Sequence, residues 1–136
     1  ADAIYTYLSD RLAEAAKPDE KLRALAAGYI EFGRRHPHRW RLMVEHQLPD
    51  DMDRKGVELR LARLFDLVES ALKPLLPMAR PERLRLAAAS LWSGVHGICV
   101  LAVTDKLRWS GSPEFHPFSD FLVTTFLAGL AVSAKR

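Results

Sequence analysis

A histidine and the chain's single cysteine, His96 and Cys99, stand three residues apart within the apolar run LAAASLWSGVHGICVLAV, residues 86–103. On a helix that spacing makes the imidazole and the thiol neighbours, so the pair could serve as base and nucleophile or as two soft-metal ligands. Nucleophilic catalysis also needs an oxyanion device and a group that orients the base, and a metal needs further ligands at suitable spacing. The other histidines do not supply them: His36 and His38 flank Pro37, His46 ends a short apolar segment, and His116 follows a loop. Asp50, Asp51 and Asp53 resemble the start of a calcium loop, but no glutamate closes it at position twelve. Helix capping accounts for them better. The pair therefore reads as pocket lining or satisfied core, and we expect no enzyme, no metal and no other cofactor.

The same run has two unlike sides. At about 100° per residue, Trp92, His96, Cys99 and Val103 fall on one side, and Ala87, Ser90, Gly94, Gly97 and Leu101 on the other. Small residues at helical spacing let a second backbone approach closely. An indole, an imidazole and a thiol in register can wall a cavity that needs apolar surface and a few polar contacts. Tyr29, Phe32, Trp40, Met43, Phe65, Val68 and Phe126 add large or adaptable side chains from other segments, and together with Trp92, His96 and Cys99 they form the candidate ligand-binding set. A cavity and a filled core both fit these residues.

Six elements must position that set. Ile4, Leu8, Leu12 and Ala15 make one side of a helix over about 2–16, interrupted at Lys17-Pro18. Pro18, Asp19 and Glu20 suit a first helical turn, and the helix they open runs to about Arg35, with Leu22, Leu25, Tyr29 and Phe32 as its inner stripe. Pro37 restarts the chain into a short helix over 38–46 carrying Trp40 and Met43. Val57, Leu61, Leu64, Val68 and Leu72 mark a long helix that Pro74 and Pro77 end. A fifth helix runs from Pro81 to about Leu107, a turn-rich loop (WSGSP) follows, and Phe115, Phe118, Leu122, Phe126 and Leu130 define a last helix. No alternating β pattern, glycine-rich phosphate loop or internal repeat interrupts this. The predicted fold is all-α, a bundle of about six helices.

Composition sets the outer bounds. The 136 residues, 49% hydrophobic and 27% charged, suffice for one domain over 1–136 with a real core. One cysteine in an apolar segment favours a reducing, cytoplasmic setting. The apolar run is about membrane length, but glycines, serines and a histidine interrupt it, so burial in protein is expected and no membrane. A net charge of +3 is too small to imply nucleic-acid binding by itself. Arg34, Arg35, His36, His38, Arg39 and Arg41 nevertheless crowd one junction, read as a solvated helix terminus or as an anion contact. The opening ADAIYTYLSDRL carries no signal-peptide pattern and is expected to come from the middle of a longer chain.

The order of elements resembles the C-terminal regulatory domain of tetracycline-repressor (TetR) family transcription regulators. Two stretches carry the likeness: KPDEKLRALAAGYIEFGRRHPHRWRLMVE, with its leucine, aromatic, His-Pro and Leu-Met pattern, and LWSGVHG, similar to the Trp and His-Gly signature of one subgroup, here Trp92, His96 and Gly97. The resemblance implies an effector-sensing and dimerising domain of a bacterial regulator. DNA binding would then belong to an N-terminal helix-turn-helix domain absent from this chain. It further implies a homodimer in which the last two long helices pair with their mates as a four-helix bundle. Ala87, Ser90, Gly94 and Gly97 would permit close approach there, with Phe118, Phe121, Thr125 and Ala128 completing the contact, although the same small residues suit an intrasubunit neighbour. The effector expected is small and largely apolar. The rivals are a stand-alone helical dimerisation module without ligand and a small Cys/His enzyme.

Overall fold

A computed structural model describes residues 2–44 and 54–134. Among the described residues there are six α-helices, two short 3-10 turns and no strand, as the helical periodicity predicts. The expectations placed on Asp50, Asp51, Asp53 and His46, and on the side chains of Met43, Val57 and Leu61, lie outside the described residues.

Helix α1 (Asp2–Ala13) buries Ile4 and Leu8. It stops three residues earlier than its apolar stripe suggests, because Glu14 and Ala15 donate their amides to Arg11 and Leu12 in tightened last-turn bonds of 3.2 and 3.1 Å. Helix α2 (Pro18–Arg35) begins where the sequence says: Pro18 needs no amide partner in the first turn, and the Glu20 carboxylate accepts the Lys17 amide at 3.4 Å. Leu22, Leu25, Ala26, Gly28, Tyr29, Ile30, Phe32 and Gly33 are all buried. A helix apolar on most of its circumference must be surrounded, and α2 packs against α1, α3, α4, α5 and α6.

Pro37 ends α2 and opens α3 (Pro37–Val44), which tucks the fully buried Trp40 under the bundle. Helix α4 (Arg54–Leu72) contributes Leu64, Val68, Ala71 and Leu72 to the core, then passes through a 3-10 turn at Lys73–Leu75. Helix α5 (Pro81–Val103) is long and apolar enough to cross a membrane by length and composition, and it packs on α2, α4 and α6. It ends four residues before the predicted stop, at a Schellman-type cap. Asp105 takes the left-handed conformation (φ 59°) that Asp tolerates better than most residues, and the Lys106 amide reaches back to Leu101 O at 2.7 Å. After a 3-10 turn at Leu107–Ser110 and Gly111 at φ 101°, α6 (His116–Ala134) closes the bundle.

Two glycines set helix spacing. A methyl group on Gly33 would stand 2.7 Å from Cys99 Sγ, and one on Gly94 would stand 2.8 Å from Leu122 Cδ2. Gly33 thus brings α2 close to α5, and Gly94 brings α5 close to α6 within the same chain.

Candidate functional site

Tyr29, at the centre of α2, is the hub of a polar chain inside the bundle. The Trp40 indole N–H donates to the Tyr29 hydroxyl at 3.0 Å, and the hydroxyl lies 2.9 Å from His96 Nδ1. Indole is only a donor, so the Tyr29 hydroxyl accepts from Trp40, and the direction of its bond with Nδ1 follows the His96 tautomer. The His96 ring stacks near both indoles, 5.5 Å from Trp40 and 6.3 Å from Trp92. Trp92 in turn meets Tyr29 at 4.4 Å and Phe65 at 5.5 Å. Burial pushes the Tyr29 phenol well above its ordinary pKa, with the neighbouring Cys99 adding to the rise and the Trp40 hydrogen bond opposing it.

Next to this cluster lies a crevice of about 20 Å³. Its walls are Leu8 from α1, Leu22, Leu25, Ala26 and Tyr29 from α2, Leu64 and Val68 from α4, and Leu91, Trp92 and Val95 from α5. So small an apolar space is little more than one water in size.

The predicted ligand residues are placed as follows. Tyr29, Trp40, Phe65, Trp92 and His96 come together in one aromatic cluster, and Tyr29, Val68 and Trp92 also border the crevice. Cys99 sits against Gly33 near Trp40. Phe32 points elsewhere, to Tyr7 at 6.1 Å and His36 at 5.0 Å. Phe126 is a half-buried side chain of α6 packed on the core. The other crevice residues, Leu8, Leu22, Leu25, Ala26, Leu64, Leu91 and Val95, were not in the predicted set. They belong to the same helical stripes as ordinary core residues, so periodicity alone has no means of separating wall from filling.

Helix α1 is tied down beside the crevice. Tyr7 donates its hydroxyl hydrogen to Glu31 Oε2 at 2.8 Å, and Arg11 Nη2 donates to both, at 2.9 and 3.0 Å. His116, at the start of α6, lies 4.0 Å from the other Glu31 oxygen.

Cys99 has no exposed surface, and burial pushes its thiol up to about 12 from an ordinary 9.0. A nucleophilic cysteine needs the opposite shift and an open approach. Native protein should therefore leave Cys99 unlabelled by a thiol reagent at pH 8, with full labelling in denaturant; stoichiometric labelling of folded protein would revive the Cys/His enzyme. Because folding favours the neutral thiol, its contribution to stability is complete below pH about 9 and is lost as pH climbs toward 12.

A second surface runs along α5 and α6. Ser90, Gly97, Phe121, Thr125 and Ala128 are exposed, Phe121 at 73%, and nothing approaches a methyl group placed on Gly97 within 4 Å. Leu86, Leu101 and Val132 extend the same apolar face. The three other residues predicted there sit differently in the subunit. Ala87 is buried, Gly94 is covered by Leu122, and Phe118 is half-buried against the core.

A family model described as "Tetracyclin repressor-like, C-terminal domain" matches residues 22–126. No curated protein matches the chain.

Proposed function

This chain belongs to the tetracycline-repressor-like C-terminal domain family, and on that premise we propose that it is the effector-sensing and dimerising domain of a bacterial, cytoplasmic transcription regulator. The observation that carries the sensing half is the crevice: ten side chains from four helices, all apolar but for one phenol, with α1 as one wall. A small, largely apolar molecule is the occupant such walls accept. Tyr29 and His96 satisfy each other, so an effector's polar atom binds there only by exchanging partners with that pair.

At about 20 Å³ the crevice is far smaller than such a molecule. Entry must spread the walls, and Leu8 makes α1 one of the elements displaced. In the intact regulator, α1 would pass that displacement to a helix-turn-helix domain and change the spacing of two DNA readers. The effector switches the equilibrium only so far as it binds the open state better. The exposed α5 and α6 face, covered by a second copy, supplies the four-helix junction that keeps the two readers in register. A monomer by sedimentation at high concentration would remove that half of the reading.

One observation favours a second reading. A crevice this nearly filled is also what a dimerisation module with an ordinary core would show. Thermal unfolding of wild type and Trp92→Ala, with and without indole, naphthalene or decanoic acid, separates the two. Trp92→Ala should lose about 3 kcal/mol, part of it restored by indole in the vacated space. If the crevice is a sensor, wild type itself gains about 1.4 kcal/mol from at least one compound at tenfold over its Kd, with altered tryptophan emission. Rescue of the variant with no response from wild type would leave the ligand-free module standing.

A further inference from the structure

We propose that the corner where α2 hands over to α3 grips the phosphate backbone of duplex DNA. Residues 34–41, RRHPHRWR, hold four arginines and two histidines and no acid. Arg34, Arg35, His36, His38, Arg39 and Arg41 are all exposed, while Trp40 among them is fully buried. The buried indole anchors the corner and leaves its neighbours facing water. Backbone bonds from His36 N–H to Phe32 O (2.8 Å) and from Trp40 N–H to His36 O (3.0 Å) hold the six in one compact unit.

The helix dipole explains only part of this cluster. Arg34 and Arg35 lie in the last turn of α2, where cations are favoured. His38 and Arg39 lie in the first turn of α3, the positive end, and no acidic residue accompanies them. Placing cations there breaks a local rule without a visible gain for the fold, which marks a functional position.

The arginines also lack carboxylate partners: among the described residues none of the four has a carboxylate within 4.0 Å. Arg34 instead rests over the Phe115 ring at 5.8 Å. Among the described residues, the acids on adjoining elements are Glu31, engaged by Tyr7 and Arg11, and Glu114, on the rim of an open groove shared with Arg34, Arg35 and His116. All four cations being arginine suits forked hydrogen bonds to phosphate oxygens. A membrane surface is a poorer occupant. Interfacial helices insert a face of several large apolar residues, and here Trp40 is turned inward, leaving Leu42, 48% exposed, beside the cations among the described side chains.

The inference needs no effector and stands apart from the crevice. Its test is fluorescence anisotropy of the 136-residue chain with a labelled 24-base-pair duplex of arbitrary sequence between about 20 and 200 mM NaCl. Four phosphate contacts, at about 0.9 counterions each, weaken binding about 150-fold from 50 to 200 mM. The variant R34Q/R35Q/R39Q/R41Q alters only exposed side chains. It should lose on the order of tenfold or more at 50 mM and flatten the salt slope. A control at the far end of α5, R80Q/R83Q/R85Q, should stay within about threefold of wild type. No duplex binding at 20 mM salt, an equal loss in the control, or binding to phosphatidylserine vesicles in place of DNA would each overturn the proposal.

Discussion

Trp40→Ala is expected to destabilise the domain by about 4 kcal/mol, the largest effect of any single truncation considered for this chain. The indole has no exposed surface, donates to Tyr29 at 3.0 Å and stacks on His96 at 5.5 Å. Removing it opens a cavity beneath α3 and deprives the Tyr29 hydroxyl of its donor. Since small domains retain only about 5–15 kcal/mol in total, the variant sits near the threshold of folding. Trp40→Phe keeps one aromatic ring but loses the N–H and part of the indole's buried volume, so it should cost about 1–3 kcal/mol. Urea unfolding of both variants measures the difference. A loss below about 1 kcal/mol for the alanine would mean that α3 is not held by this side chain, and the corner built on it would lose its anchor.

Gly33→Ala carries the second large effect, and its sign depends on a neighbour. In an unconstrained helix the change gains up to about 1 kcal/mol. Here the new methyl would meet Cys99 Sγ at 2.7 Å, Val103 Cγ2 at 3.2 Å and Trp40 Cδ1 at 3.3 Å. Cys99 and Trp40 are both fully buried and cannot step aside, so overpacking of about 1–3 kcal/mol should prevail. Cys99→Ala removes the atom in the way. The double variant should then be more stable than the sum of the two single losses, with a coupling of at least about 0.5 kcal/mol. Strict additivity would show that α2 and α5 do not approach at this point. The cycle also tests the thiol's role, because a sulfur that only fills space is replaceable by the methyl opposite.

These two predictions rest on contacts that the sequence suggests to different degrees. Trp40 is visible as an aromatic in a short segment after Pro37, and Tyr29 as part of an apolar stripe. Their hydrogen bond, and the third partner His96 from α5, require three segments to converge, which no spacing along the chain encodes. The small-residue side of α5 shows the same limit. Gly94 and Gly97 are three residues apart and look equivalent in the sequence, yet one is covered by Leu122 and the other faces open space. Helical phase places both on one broad face; where α6 lands on that face decides which remains available to another copy.

Helix boundaries divide along a similar line. Pro18, Pro37, Pro74 and Pro81 act through their own missing amides and fixed φ, so the sequence places those breaks within a residue or two. The early end of α5 instead depends on Asp105 adopting a left-handed conformation, which its residue type permits but does not demand.

By itself, the chain's order of apolar and charged residues determined that it forms about six helices and marked inward stripes such as Leu22, Leu25 and Tyr29 of α2, because burial of a periodic stripe is a local property of the sequence. The family likeness came from the same residues. Only the tertiary structure decided that the aromatic cluster closes on itself around Tyr29, that the adjoining crevice shrinks to about 20 Å³, and that four arginines at one corner remain without acidic partners among the described residues. Those outcomes depend on the distances between helices, and such distances are set by packing among residues far apart in the chain.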